Sequence, residues 1–339
     1  MTLRAGFVVL MAVALGALAC GEAFAGAPQV RAQAPGFFRM MVGSAEVTAL
    51  LDGTHTFPVP TALQAPPGTT DAGTRRRLLE DVAPGEAAAR LGDEKLALPF
   101  EGSINAFLIN LDGRLTLIDT GAGELYGACC GHLVENLRAS GYRPEEIDDI
   151  LLTHLHADHV GGLTAGGSRV FPNATVHVAK ADLAYWLDPA REAEAPAFLH
   201  VMFDDARTVL KPYLDTHRIQ AFEGDGEIVP GIRALASSGH TPGHTSYLLK
   251  SGDEKLLAWG DVVHVAPIQL AAPGVTVTYD SDPGAAESTR ERLLAEAAAD
   301  TIWIAAAHIS FPGLGHIGRR DGRFVWFPAN YTTRFAPLP

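Results

Sequence analysis

Cysteine is scarce in this chain of 339 residues, which contains only three. Cys20 lies close to the N-terminus, and Cys129 and Cys130 are neighbours in the sequence. A framework of structural disulfides is excluded, because adjacent cysteines can pair only through a strained ring. We expect Cys129 and Cys130 to be small, partly buried residues in a turn or at a helix start, and their chemical state stays open.

Basic stretches are also rare. The chain has 39 acidic and 26 basic residues, which gives a formal net charge of −13. Its basic clusters are limited to Arg75-Arg76-Arg77 and Arg319-Arg320, so a nucleic-acid partner is not expected. Beyond the first 25 residues, no apolar run reaches the ~20 residues that a transmembrane helix needs, so no membrane span is expected in the mature form.

The first 25 residues resemble an export signal. Arg4 supplies a positive charge, residues 5–19 are apolar, and Ala23-Phe24-Ala25 is typical of a cleavage site. We expect cleavage after Ala25 and a periplasmic or secreted location. Lipidation of Cys20 stays an alternative, although the residues before it match a lipoprotein signal poorly.

The remainder predicts an N-terminal arm over residues 26–45 and one domain over residues 46–339. Residues 58–100 are rich in proline, glycine and charge, with a helix near Arg75–Val82, and we interpret them as a surface excursion near the active site. The patterns elsewhere predict helices and strands in alternation, which favours two sheets packed face to face with helices outside. The predicted helices cover residues 132–140, 180–187, 198–213 and 284–299; the predicted strands cover residues 46–51, 104–111, 115–118, 150–153, 174–178, 218–222, 232–236, 246–249, 255–259 and 301–306.

One short segment carries the chemistry. His154-Leu155-His156-Ala157-Asp158-His159 directly follows the apolar strand Ile150–Thr153. Alternate residues of an extended chain point the same way, so His154 and His156 can converge on one ion. If the chain then turns into a helix, Asp158 and His159 project towards a second ion. Four such groups within six residues predict a site for two metal ions.

This segment resembles the signature of the metallo-β-lactamase superfamily. The resemblance implies an α/β fold, a four-layer αβ/βα sandwich, and further ligands later in the chain. In this family's pattern the second histidine of Gly239–His244 binds metal, Gly260-Asp261 supplies a bridging carboxylate and a final histidine follows a strand. The resemblance thus implies that one ion is held by His154, His156 and His244, and the other by Asp158, His159 and His308. Asp261 would bridge both ions. Asp119 would orient a ligand histidine, whereas His240 would only support its loop.

Imidazole and carboxylate ligands suit zinc, although manganese, cobalt and iron accept the same donors. Two ions that share a water lower its pKa towards ~7, and the bridging hydroxide attacks a carbonyl or phosphoryl centre. No Gly-x-Ser-x-Gly elbow or phosphate-binding loop is apparent in the sequence. The expected activity is therefore metal-dependent hydrolysis.

Stretches beyond the metal motif resemble secreted methyl parathion hydrolases and their lactonase relatives. They include residues 27–31, 46–50, 171–174, 229–232 and 311–317. The resemblance implies a substrate pocket lined by Tyr126, Trp186, Phe198, His264 and Tyr279, and suggests a homodimer.

His264 follows the bridging carboxylate by three residues, a position that lactone-hydrolysing members often give to a hydrogen-bonding tyrosine. We therefore count His264 and Asp261 as catalytic candidates, with a His264 that packs without a catalytic role as the alternative. His55, His132, His177, His200 and His217 have no motif context, and we expect no role for them. We expect His316 to be a loop histidine with its hydrogen bonds satisfied within the protein.

The leading hypothesis is an exported enzyme that opens small-molecule lactones or aryl esters, of the dihydrocoumarin or acyl-lactone kind, with phosphotriester cleavage as a side activity. A methyl parathion-type organophosphate triester hydrolase is the alternative among enzymes. A non-catalytic metal-binding protein with the same fold is the alternative of another class.

Overall fold

The computed structural model of the chain describes residues 29–57 and 100–335. The predicted export signal and the predicted helix near Arg75–Val82 lie outside these residues. By contacts within the chain, Met1–Ala34 and Pro35–Pro339 form separate units. The described residues of the first unit have no regular secondary structure. All elements below belong to the second unit.

Seven strands form the first sheet, in the order β1-β2-β3-β4-β5-β8-β9. Strands β1 to β4 pair antiparallel, whereas β4, β5, β8 and β9 pair parallel. The strand β1 lies within the residues that the sequence assigned to an arm, and its pairing with β2 buries Met40 and Val42. The strands are β1 (Phe37–Val42), β2 (Ala45–Phe57), β3 (Phe100–Leu111), β4 (Arg114–Ile118), β5 (Asp149–Leu151), β8 (Thr175–Ala179) and β9 (Ile219–Phe222).

Seven further strands form the second sheet in simple sequence order from β10 to β16. Within it, β13 and β14 are parallel and the other neighbours are antiparallel. The strands are β10 (Gly226–Val229), β11 (Ile232–Ala236), β12 (Thr245–Ser251), β13 (Glu254–Ala258), β14 (Trp303–Ala305), β15 (Leu314–Arg320) and β16 (Arg323–Pro328). A small hairpin of β6 (Thr164–Ala165) and β7 (Ser168–Arg169) stands apart.

Seven α-helices lie in the described residues, and none is long and apolar enough to cross a membrane. The longest begins after Asp282, whose side chain accepts the Ala285 N–H at 3.0 Å, with Pro283 in the first turn. The helices are α1 (Leu133–Ala139), α2 (Ala157–Val160), α3 (Lys180–Trp186), α4 (Pro189–Glu194), α5 (His200–Leu214), α6 (Ala266–Gln269) and α7 (Pro283–Asp300).

Three apolar clusters show how the layers pack. One cluster joins the inner faces of the two sheets, for example Phe107 and Ile109 of β3 with Leu249 of β12. The other two join the outer face of each sheet to its helices, α1 and α5 on the first and α7 on the second. Successive strand residues face opposite sides, so the strands feed both an inner and an outer cluster. The predicted four-layer αβ/βα sandwich is confirmed.

The functional segments follow the carboxyl ends of two parallel pairs of strands. In the first sheet β4 leads to Asp119 and β5 leads to His154, and in the second sheet β13 leads to Asp261 and β14 leads to His308. A hydrogen bond between the two sheets joins these ends, because the Thr153 carbonyl oxygen accepts the Thr245 N–H at 2.8 Å. The fold therefore gathers groups that lie far apart in sequence at one edge of the sandwich.

Candidate metal centre

The His154–His159 segment has the local shape that the sequence predicted. After β5 the chain stays extended through His156, whose φ and ψ are −74° and 153°, and then enters the short helix α2. The ring centroid of His154 lies 4.5 Å from that of His156 and 4.1 Å from that of His159. The extended part and the helical part thus present adjacent but distinct sets of donors.

Asp261 lies between these two sets with one carboxylate oxygen towards each. Its Oδ2 is 3.7 Å from His154 Nε2 and 3.2 Å from His240 Nε2. Its Oδ1 is 3.0 Å from His159 Nε2 and 3.1 Å from His308 Nε2. A carboxylate in this position can bridge two cations.

Two groups of potential ligands result, each with its ligand atoms within 4.8 Å of one another. We call His154, His156, His240 and Asp261 the first group, and Asp158, His159 and His308 the second group. A third combination, Asp261, His264 and His308, meets the same criterion.

The buried donor atoms fit metal ions. His154 Nε2, His156 Nε2, His159 Nε2 and Asp261 Oδ1 are buried, and among the described residues none of them makes a hydrogen bond of good geometry, although His159 Nε2 and Asp261 Oδ1 lie 3.0 Å apart. Leaving so many buried polar atoms unsatisfied costs free energy, which cation binding would offset. Imidazole nitrogen with carboxylate oxygen is also a donor set that zinc prefers.

The electrostatics of the centre differ from donor to donor. Burial lowers the pKa of His154 and of His156 well below the ordinary value, so both imidazoles are neutral. Burial acts to raise the pKa of Asp261, but the imidazoles of His159, His308 and His154 outweigh it and hold the pKa well below its usual range. Burial also acts to lower the pKa of His159 and of His240, but nearby carboxylates, Asp261 foremost, outweigh it and raise the pKa of His159 well above its ordinary value and that of His240 to about 9. Ligand imidazoles are neutral, so cation binding would displace the protons from these two rings.

The geometry corrects one expected ligand, because His240 takes the place that the sequence analysis gave to His244. His244 Nδ1 lies 3.0 Å from the Ser237 carbonyl oxygen, and its Nε2 accepts the Asp261 N–H at 3.0 Å. Both nitrogens are thus occupied within the protein. By contrast, His240 Nε2 lies 2.9 Å from His156 Nδ1 and faces Asp261.

Carboxylates behind the ligands fix the orientation of two histidines. Asp119 Oδ2 lies 2.8 Å from His159 Nδ1, in the place expected from the sequence. Asp280 Oδ1 lies 2.8 Å from His240 Nδ1, with the buried Arg290 guanidinium 3.9 Å from the other oxygen of Asp280. Such partners fix the ring and the tautomer of a ligand histidine. Asp280 was missed from the sequence.

Asp182 connects the loops that carry the first group. Its fully buried carboxylate accepts the N–H of Leu155 at 3.1 Å, the N–H of Gly243 at 2.6 Å and the hydroxyl of Thr241 at 3.0 Å. Leu155 lies between two candidate ligands, and Thr241 follows a third. This residue was also missed, and it holds two distant segments in register.

An open cleft of about 640 Å³, counting its mouth, lies against both groups. Of the five pocket residues predicted from the sequence, Tyr126, His264 and Tyr279 line it. Trp186 does not, because its ring is buried against His156 and Phe203 at centroid distances of 5.0 and 4.7 Å. Phe198 does not line the cleft either; it is 43% exposed, and the centroid of its ring lies 6.4 Å from that of Tyr279.

The cleft also contains residues that the sequence did not indicate. His55, on the extended end of β2, lines it beside Phe57, and its ring lies 5.2 Å from that of Tyr126. The prediction that His55 has no role rested on the lack of a motif, and its place in the wall argues against treating it as background. Met202 of α5 completes the apolar part of the wall.

His264 lies above the gap between the two ligand groups. Its Nε2 is 3.1 Å from Asp261 Oδ2, and its ring stacks on His308 with centroids 5.4 Å apart. Its Nδ1 is buried and has no hydrogen-bond partner among residues 29–57 and 100–335. The cleft and the candidate metal groups meet at this imidazole.

The remaining histidines expected to have no role lie elsewhere. His316 Nδ1 is 3.0 Å from the Ile302 carbonyl oxygen, and its ring lies 3.8 Å from Trp303. His177 pairs with Asp149 at 2.8 Å. His132 is exposed near Glu135, His200 lies 3.1 Å from the Ala195 carbonyl oxygen, and none of these or His217 lines the cleft.

Comparison with known proteins agrees with this geometry. The family model of the metallo-beta-lactamase superfamily matches residues 99–308. An N-acyl homoserine lactonase from a Bacillus species is 33% identical over 119 residues, which are 35% of this chain and 39% of that protein. The N-acyl homoserine lactonase AttM of Agrobacterium fabrum is 28% identical over 127 residues, or 37% of this chain and 44% of that protein. The chain thus spans less than half the length of these curated relatives.

Two solved structures are similar over most of the chain. The hydrolase AbOPH, described as belonging to the beta lactamase superfamily, is 35% identical with a TM-score of 0.77 and covers 89% of this chain and 100% of its own. AidC, a dizinc quorum-quenching lactonase solved with the product N-hexanoyl-L-homoserine, is 26% identical with a TM-score of 0.76 and covers 88% of this chain and 99% of its own. With the sandwich and the ligand clusters described above, these matches confirm the resemblance found in the sequence: this chain belongs to the metallo-beta-lactamase superfamily.

Proposed function

We propose that this chain is an exported hydrolase with two metal ions that opens lactones or aryl esters. The observation that carries the proposal is the Asp261 carboxylate, which directs one oxygen to each of two clusters of buried histidines. A purely structural ion would need only one closed set of ligands, whereas two adjacent sets beside an open cleft suit hydrolysis.

The first ion would bind to His154, His156, His240 and Asp261, and the second to Asp158, His159, His308 and Asp261. Zinc is the proposed metal, with manganese, cobalt or iron as substitutes that the same donors accept. When bound, such ions supply a water of lowered pKa and polarise the oxygen of the substrate. Asp119 and Asp280 keep the rings of His159 and His240 in the orientation that ligation requires.

His264 and the cleft support a lactone or ester substrate. His264 Nε2 lies 3.1 Å from Asp261 Oδ2, and its N–H would become available to the carbonyl oxygen or the leaving oxygen of the substrate once a cation took that carboxylate oxygen. Tyr126, Phe57 and Tyr279 provide flat apolar walls for a lactone or aryl ring. The names of the relatives, N-acyl homoserine lactonases and a dizinc lactonase, point to the same substrate class.

The direct test is turnover of a substrate panel by one preparation loaded with zinc or manganese. The panel contains dihydrocoumarin, N-acyl homoserine lactones of several chain lengths, an aryl acetate and paraoxon. We expect the lactones or the aryl ester to be hydrolysed fastest. A preparation that binds two ions but hydrolyses none of these compounds contradicts the proposal.

Replacing His264 tests its role. His264→Leu should lower kcat/KM for lactones more than for paraoxon, because only the lactone reaction uses the hydrogen bond to the carbonyl or leaving oxygen. The matched control is His132→Leu, at an exposed histidine that does not line the cleft, which should leave both rates unchanged. Equal losses for the two substrates would remove the role of His264.

Phosphotriester hydrolysis is the second candidate function, because the same bridging site could act on a phosphoryl centre. This function is favoured over lactone hydrolysis if paraoxon is the substrate of the panel that is hydrolysed fastest. A non-catalytic metal-binding protein is the remaining alternative, and fewer than one bound ion per chain, with no hydrolysis after metal addition, would favour it.

Export is proposed from the first 25 residues alone. The test is N-terminal sequencing of protein recovered from the periplasm and the medium of an expressing bacterium, where we expect a chain that begins at Gly26. An intact N-terminus in the cytoplasmic fraction only would contradict export, and a lipid on Cys20 would favour the lipoprotein alternative.

A further inference from the structure

Residues 122–131 form a loop whose two ends are tied to one buried carboxylate. Asp52 accepts the N–H of Ala122 at 2.9 Å, of Gly131 at 3.1 Å and of Leu133 at 3.2 Å. The backbone of this loop packs so closely on β2 that a side chain at Gly53 would collide with the Cys129 carbonyl oxygen. The turn at Tyr126–Cys130 is therefore held at a fixed place beside β2, with its two cysteines next to each other.

The two cysteines of this turn lie with their sulfurs together. Cys129 Sγ and Cys130 Sγ are 2.8 Å apart, and both residues are free cysteines. Cys129 is half-buried, whereas Cys130 is 7% exposed. Cys129 Sγ also lies 3.4 Å from the Tyr126 carbonyl oxygen. This contact of two thiols is close enough for a bond to form with little movement.

The pair is directly connected to the wall of the cleft. Cys130 packs with Ile104 and Ala122, and Tyr126 and Cys129 pack against that cluster. Both Tyr126 and Ile104 line the cleft beside the candidate metal ligands. A chemical change at the cysteines would therefore be felt directly by Ile104 and Tyr126, which face the cleft.

We propose that Cys129 and Cys130 form a redox-active vicinal dithiol, a modification site in the cleft wall that a small disulfide such as oxidised glutathione converts into a Cys129–Cys130 disulfide. Neighbouring Cα atoms are about 3.8 Å apart, less than the usual span of a disulfide, so the bond is strained. Strained disulfides are easily reduced, which makes the modification reversible.

The reaction balances in two exchange steps. Burial raises the pKa of the Cys130 thiol, so the first attack comes from the more exposed Cys129. The Cys129 thiolate attacks one sulfur of the small disulfide, whose S–S bond breaks to release one small thiol and leave a mixed disulfide. The Cys130 sulfur, on losing its proton, then attacks Cys129 Sγ and expels the second small thiol. The protein loses two S–H bonds and gains one S–S bond, while the two electrons and two protons leave in the two small thiols.

Ring closure should restrain the turn that carries Tyr126. The new bond removes rotations at both cysteines, and the anchored loop ends prevent the strain from spreading outwards. We expect slower amide exchange over residues 124–131 and a changed KM for substrates that touch Tyr126. The candidate metal ligands keep their contacts, so the metal content should not change.

The test treats the full metal-loaded protein with oxidised glutathione, blocks remaining thiols by alkylation and measures the tryptic peptide Leu115–Arg138, which contains both cysteines. We expect this peptide to escape alkylation and to lose two hydrogen atoms in mass, and to regain them with a reducing agent. Cys129→Ser and Cys130→Ser are the matched controls, and each should stop at a glutathione adduct or an alkylated thiol.

A wild-type peptide that carries only glutathione or two alkyl groups would overturn the modification site. A disulfide that forms without slower exchange in residues 124–131 would overturn the link to the cleft wall. Neither measurement requires catalysis, so failure of the proposed lactone hydrolysis leaves this test intact.

Discussion

The two groups of candidate ligands differ in burial and in charge. His154, His156 and His240 of the first group are each less than 5% exposed and contribute only imidazoles. In the second group the side chains of Asp158 and His308 are 16% and 10% exposed, and Asp158 adds a carboxylate. Because Asp261 faces both groups, the first group is the more buried and the richer in nitrogen, whereas the second has an additional carboxylate of its own and is more exposed, although residues of both groups line the cleft. We therefore expect the ion of the first group to be retained more firmly and the ion of the second group to exchange more readily.

The largest effect should follow from removing the residue that the two groups share. Asp261→Ala takes one oxygen from each group, and we expect both ions to bind weakly. The resulting loss of kcat/KM should exceed the about 100-fold that changes in the outer partners of metal ligands cost. Metal content by mass spectrometry and turnover of the fastest substrate measure this effect. A variant that keeps two ions and near-normal activity would show that Asp261 does not bridge.

A smaller and more selective effect should follow from changing only the first group. His240→Gln should remove one ion of the two, because the amide replaces an imidazole that faces His156 and Asp261. His244→Gln is the matched variant in the same loop and should keep both ions, since neither nitrogen of His244 is free for ligation. The opposite result would restore the assignment made from the sequence.

His240 and His244 show the limit of what the sequence could predict. The His154–His159 motif was readable because alternation in an extended chain and the turn into α2 are local. The strand patterns over residues 104–111, 246–249 and 255–259 likewise predicted β3, β12 and β13, and the alternation of helices and strands predicted two sheets packed face to face. In Gly239–His244, however, both histidines fit the spacing, and the choice depends on what each ring contacts in the folded chain.

Long-range contacts explain the other differences. Asp280 lies 40 residues after His240, and Asp182 lies 27 residues after Leu155, so no local pattern connects them. Trp186 looked like an aromatic pocket residue, but the packing of α3 on α5 turns its ring into the core. His55 alternates with two threonines at the end of β2, a pattern that only the neighbouring cleft makes meaningful.

Replacing the carboxylates that orient the ligand histidines should weaken the binding of one ion at a time, with a smaller loss than replacing a ligand. Asp280→Asn should weaken the ion of the first group, and Asp119→Asn that of the second, each by about 10- to 100-fold in affinity. The measurement is chelator competition with a chromophoric indicator. Asp149→Asn is the control, because that buried carboxylate pairs with His177 and Arg114 away from the centre and should change stability only. Equal weakening of both ions by either variant would mean that the groups are not independent.

The smallest effect on the centre is expected from Asp182, whose influence should appear in the pH dependence of stability. Burial raises the pKa of Asp182 from 3.8 to about 6, so the folded protein binds this proton more tightly than the unfolded chain. The contribution of Asp182 to the free energy of unfolding is therefore greatest below about pH 4, declines as the pH rises to about 6 and is constant above that.

Asp182→Asn cannot ionise and should lack this decline, while its amide oxygen can still accept a hydrogen bond from part of the two loops. The free energy of unfolding of the wild type minus that of the variant, measured with urea on the metal-free proteins at several pH values, should fall between pH 4 and 6. The other titrating groups contribute equally to both proteins and cancel in this difference. If the difference does not change with pH, the carboxylate is not buried against these loops, and the register between Leu155 and Gly243 must be set by the backbone alone.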